Sequence, residues 1–95
     1  MKNPARSFRI HCQVDPSIGK PEAAYFSLRD DAKSSETVEA VPGVLFLDRD
    51  AVGELVGIEV LGPVTRKQMS DAIEDVVAFR FVLSCIPTSF LKEKA

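Results

Sequence analysis

Four residues in the stretch LFLDRDAVGELVGIEVLG, from Leu45 to Gly62, stand at the spacing of a calcium loop. Counting from Asp48 along the pattern D-x-[DN]-x-[DN]-G-x5-E, the matches are Asp48, Asp50, Gly53 and Glu59. The fifth position is Val52, which offers no side-chain oxygen, and the ninth is Val56. Such a loop also needs a helix on either side, whereas both flanks here read as strands. Turn chemistry accounts for the same residues, since Asp favours turns and Gly53 can take a positive φ. The stretch therefore predicts no metal site.

Glu59 poses a separate question, because it lies in an otherwise apolar run, ELVGIEVL. In a strand, Val56, Ile58 and Val60 share one face, and Leu55, Gly57, Glu59 and Leu61 share the other. A carboxylate between leucines, beside a position without a side chain, suggests a surface that something covers, either the C-terminal helix or a second subunit. A covered carboxylate needs a cation or hydrogen bonds, and Arg49, Arg66 and Arg80 are the candidate cations. Tyr25, the only tyrosine, would find a partner for its hydroxyl if covered, and Glu59 on a neighbouring strand is the expected acceptor. Glu59, Asp48 and Tyr25 around a crevice would be the makings of a small enzyme or ligand binder. His11 and Cys12 are adjacent in a strand and point to opposite faces, which argues against a nucleophile–base pair. One His and two distant Cys are too few for a transition-metal site. Cys85 reads as a small buried hydrophobe.

The elements that must position these groups follow from periodicity. Residues 1–5 read as a frayed end. Phe8, Ile10, Cys12 and Val14 alternate with polar residues, the pattern of a half-buried strand. DPSIGKP is a loop, and AAYFSL is a second strand. RDDAKSSE is a polar connection whose acidic pair, Asp30–Asp31, reads as solvated, as does Glu74–Asp75. TVEAV, ended by Pro42–Gly43, is a third strand. VLFLD and ELVGIEVL form a fourth and fifth around an RDAVG hairpin. Thr65 with Gln68 makes a capping box. Met69, Ala72, Ile73, Val76, Val77 and Arg80 then follow helical spacing, which predicts one helix over about 66–84, with part of DVVAFRFVL open to a strand reading. Pro87 ends it and TSFL adds a last turn. The expected fold is α+β: an antiparallel meander of four to five short strands with a C-terminal helix packed on one face, in one domain over 1–95. Residues 8–62 form the meander and residues 63–95 a helical extension.

PEAAYFSL and VEAVPGVLFLDRDAVGELVGIEVLG together resemble the domain of unknown function 2283 family. The matching positions are Glu22 and Tyr25 in the first block, then Asp48, Asp50, Gly53, Gly57, Ile58, Glu59 and Leu61 in D-x-D-x-x-G-x-x-x-G-I-E-x-L. Glu22 departs from the Asp usual in the family. The likeness covers residues 8–62, and the helical tail extends beyond it. It implies a fold and no agreed activity. Some members look like partners of small toxin genes, which implies a partner-binding role.

Composition narrows the classes further. The chain has 95 residues, 45% hydrophobic and 27% charged, with net charge −2. Its basic residues are scattered rather than clustered, which argues against nucleic-acid binding. No stretch is long and apolar enough to span a bilayer, and MKNPARSFRI has no signal core. The expectation is a bacterial, cytoplasmic protein with reduced cysteines and no cofactor. With no catalytic constellation and apolar residues on both sheet faces, a non-enzymatic module is expected, self-associating as a homodimer or binding a protein partner. Its candidate interface is Tyr25, Asp48, Asp50, Leu55, Gly57, Glu59 and Leu61.

Overall fold

The computed structural model describes residues 7–30 and 33–92. The end at 1–5, Asp31 of the acidic pair and residues 93–95 of the extension lie outside them. The fold is α+β. Five antiparallel strands, β1 (Arg9–Asp15), β2 (Lys20–Ser27), β3 (Glu36–Val41), β4 (Leu45–Arg49) and β5 (Leu55–Val60), precede two helices, α1 (Arg66–Ala72) and α2 (Val76–Cys85). A short 3-10 turn, Thr88–Phe90, closes the series where the sequence predicts a last turn.

Across the sheet the order is β1-β2-β5-β4-β3. β1 and β2 form one hairpin, β3, β4 and β5 follow one another through short turns, and the connection after β2 carries the chain to the far edge. This is the spatial order of a Greek key. Gly43 (φ +70) and Gly53 (φ +89) sit in the two tight turns of the three-strand part, in a region where a Cβ would be strained.

Alternation decides which face is buried. Ala24 and Phe26 on β2, Leu45 and Leu47 on β4, and Ile58 and Val60 on β5 point to the helices. They form the core with Val64, Met69, Ile73, Ala78, Val82, Ile86 and Phe90. Phe81 of α2 meets Phe26 edge-on, with ring centroids 5.7 Å apart, and lies against Phe8 at 4.7 Å.

Three expectations need correction. The single helix over 66–84 is two helices. The capping box holds, with Gln68 N donating to Thr65 Oγ1 (3.0 Å) and Thr65 N to Gln68 Oε1 (2.9 Å). The first helix stops at Ala72, and Ile73 is extended. Asp75 then caps a new helix by accepting from Val77 N and Ala78 N at 3.0 and 3.2 Å. An Asp offers the backbone an alternative to helix, which is why it breaks one and starts the next. The restart resets the phase, so Val76 and Val77 face outward instead of into the core. DVVAFRFVL is helical from Val76 onward.

Second, β1 is not half-buried. Ile10 and Cys12 do lie on the helix side, opposite Phe26 and Ala24, but the side chains from Arg9 to Val14 are all exposed. The helices cover the middle of the sheet and stop short of this edge. Third, Cys85 is exposed rather than buried, and both cysteines are free thiols.

Candidate functional site

The sheet's outer face, opposite the helices, holds the candidate groups. Register places one row across all five strands: His11, Tyr25, Glu59, Phe46 and Glu39. The next row is Arg9, Ser27, Gly57, Asp48 and Thr37. β2 flanks β5 on one side and β4 on the other, so Tyr25 and Asp48 belong to strands separated by Gly57.

The gap at Gly57 is filled by Tyr25. A Cβ built on Gly57 would overlap the phenol oxygen and fall 2.6 Å from Cζ. The ring therefore lies across β5, and its hydroxyl donates to Asp48 Oδ2 at 2.8 Å. The other oxygen, Oδ1, accepts from Thr37 Oγ1 at 2.7 Å. A tyrosine, an aspartate and a threonine thus tie β2, β4 and β3 together over a glycine in β5. The expected hydrogen bond from Tyr25 to Glu59 is corrected. The two are direct cross-strand neighbours, but a phenol overshoots the residue opposite it and reaches the diagonal position, where Gly57 leaves room.

Glu59 is half-buried between Tyr25 and Phe46. The C-terminal helix, one of its two expected covers, does not cover it, since α1 and α2 pack on the opposite face of the sheet. Arg66 and Arg80 are on those helices, and Arg49 donates to Gly53 O at 3.1 Å. None of the three forms a salt bridge with Glu59. Leu61 is exposed on the outer face, but the expectation for Leu55 is corrected. The register shifts at Val56, so Leu55 lies opposite Arg49 and packs, half-buried, against the core on the helix side.

Asp50 stands apart from this group. Its Oδ1 accepts from Val52 N (3.0 Å) and Glu54 N (2.9 Å), closing the β4–β5 turn. Arg29 bridges to Glu54 at 2.9 Å across the same turn. Asp48, Asp50 and Glu59 do not converge. Among the described residues, no group of three or more His, Cys, Asp and Glu could hold a metal ion.

Among the described residues, the strong electrostatic consequence falls on Tyr25. Burial pushes its phenol well above the usual value, and the Asp48 hydrogen bond, the Asp48 charge and the Glu59 charge add to the effect. The sign follows from linkage. A raised folded-state pKa stabilises the fold below the unfolded value, near pH 10, and the stabilisation is lost as pH climbs above it. Tyr25 is the only tyrosine, so absorbance at 295 nm reads it alone. The expected titration shows no phenolate at pH 10–11 while the chain is folded, and a step near pH 10 in urea. A folded chain titrating at the ordinary value would remove the Tyr25–Asp48 bond from the solution structure.

Outside the outer face, an open groove of about 520 Å³ runs between β3 and α1, lined by Val38, Ala40, Pro42, Leu47 and Asp71 among others. No helix among the described residues is long and apolar enough to cross a membrane. Comparison with protein-family models, curated proteins and solved structures finds no match to the chain.

Sequence reasoning grouped Tyr25, Asp48, Gly57 and Glu59 on one surface but missed Thr37 and Phe46. Thr37 carries no signal of its own, because its role depends on the β3–β4 register.

Proposed function

We propose that the chain is a non-enzymatic interaction module that pairs with a second copy of itself and offers the open face of its sheet to a protein partner. The observation that carries this reading is the clamped tyrosine at the centre of a helix-free sheet face. A ring held at its hydroxyl and seated over a glycine loses little further freedom when another surface lands on it, and rigid aromatics of this kind anchor interfaces. Phe46 and Leu61 widen the apolar part of that face. A partner encoded nearby, as the family resemblance implies, is one candidate occupant.

The small-enzyme or ligand-binding reading draws less support. The Tyr25 hydroxyl and both Asp48 oxygens are engaged with each other and with Thr37. A phenol held neutral in this way is a poor general base.

Light scattering after size exclusion tests self-association. The expected mass is twice 10.4 kDa, with a melting temperature that rises with protein concentration. A mass of one chain at the highest attainable concentration would overturn the reading.

A further inference from the structure

The two edges of the sheet are built differently. β3 is guarded: it carries Glu36 and Glu39, a bulge that leaves Ala40 without a partner, and Pro42 just beyond. Charges, bulges and prolines are the devices that keep an edge from pairing. β1, RIHCQVD, has no proline or lysine. Its one irregularity puts the extra residue, Glu22, on β2, so β1 itself runs unbroken from Arg9 to Asp15. Its helix-side residues are apolar and uncovered, with Ile10 39% and Val14 47% exposed. An unguarded, apolar edge seven residues long is a template for another strand.

The order of residues says which strand. Read in either direction, β1 presents a charge, an apolar residue, a polar residue, cysteine, a polar residue, an apolar residue and a charge of the opposite sign. We infer that β1 pairs antiparallel with β1 of a second copy, on a two-fold axis at Cys12 perpendicular to the sheet. This refinement rests on the self-association proposed above and assigns it to an edge rather than to the outer face. In this register Arg9 lies opposite the partner's Asp15, Ile10 opposite the partner's Val14, His11 opposite the partner's Gln13, and Cys12 opposite the partner's Cys12. Every one of the seven positions meets a complementary class, and by two-fold symmetry each pair occurs twice except the one on the axis. Moving the axis to His11 or Gln13 shortens the overlap and separates Arg9 from Asp15.

The existing contacts leave this pairing open. Arg9 uses Nε on Asp30 at 3.0 Å, and Asp15 uses Oδ1 on Ser17 N at 2.8 Å. The guanidinium ends and Oδ2 are the atoms that would meet. The axis direction keeps both pairs of helices on one side. Ile10 and Val14 from the two copies then cluster where each copy's helices stop short. The outer faces join into one surface of ten strands, with a Tyr25–Asp48 clamp on either side of the axis.

Opposed residues in an antiparallel pair have Cα atoms about 4.5–5.5 Å apart, inside the range a disulfide bridges. In Cys85→Ser protein, oxidised glutathione as the electron acceptor is therefore expected to link the dimer through Cys12. With Cys12→Ser added, Ile10→Cys alone should give no link, and mixing it with Val14→Cys should restore one. Arg9→Glu is expected to weaken the dimer about tenfold, since two like-charged pairs replace two opposite ones. Arg9→Glu with Asp15→Arg should return it to within about threefold. A dimer by light scattering that neither links at Cys12 nor recovers with the double swap would overturn the β1 assignment and leave self-association standing. A single-chain mass would overturn both.

Discussion

Phe26→Ala is expected to remove about 3–5 kcal/mol of stability, the usual cost of deleting a fully buried ring. Phe26 is completely inaccessible. It lies on β2 between Ile10 and Ile58 in register, and its edge meets Phe81 of α2. The ring is thus the point at which the sheet and the second helix interlock. Two conditions place the loss at the upper end. Neighbouring strands hold the backbone of β2 on both sides, so the site cannot collapse into the void. α2 also makes few other aromatic contacts through which to compensate. A domain of this size has a total stability of about 5–15 kcal/mol, so the variant should unfold at a clearly lower urea concentration with little change in slope. A loss under 1 kcal/mol would mean that α2 does not pack on β2 in solution.

Gly57→Val is expected to destabilise by about 2 kcal/mol, although valine ordinarily favours a strand over glycine. The reversal comes from Tyr25. A Cβ at this position takes the space of the phenol, so the ring must swing off β5 and release Asp48. The lost bond has an ionised acceptor, a class that contributes about 1.5–3 kcal/mol. A two-by-two comparison isolates the cause. In a Tyr25→Ala background the same valine has nothing to displace, and its effect should fall to about zero or become stabilising. Equal losses in both backgrounds would show that glycine is needed there for its backbone and not for the ring above it.

Both variants show what could be read in the residues and what could not. The alternation of Ile58 and Val60 against Gly57 and Glu59 is a local property of an extended chain, and it predicts the two faces of β5 from Gly57 onward. Leu55 falls on the core side instead, because the pairing with β4 shifts by one residue at Val56. The turn at Gly53 and the capping box at Thr65 are equally local. Asp75 was legible as an acidic residue but not as a helix start, because an Asp in a run of helical spacing caps a new helix only when the preceding turn has already opened. Tyr25 and Glu59 were recognisable as neighbours, yet the hydroxyl's true acceptor depends on which strand lies beyond β5. That is a matter of strand order, and nothing within a few residues of Tyr25 encodes it. The exposure of β1 likewise depends on where the helices end across the sheet.

The strand order has a temporal consequence. β5 is the last strand to leave the ribosome and the central one in the finished sheet. The β1–β2 and β3–β4 hairpins are local and can form early, in microseconds. Neither has a lasting place until residues 55–60 arrive to sit between them, and closing that distance is the entropically slow event. Until then the chain is two separate ribbons with apolar sides bare, and chaperones would find their binding sites in that interval.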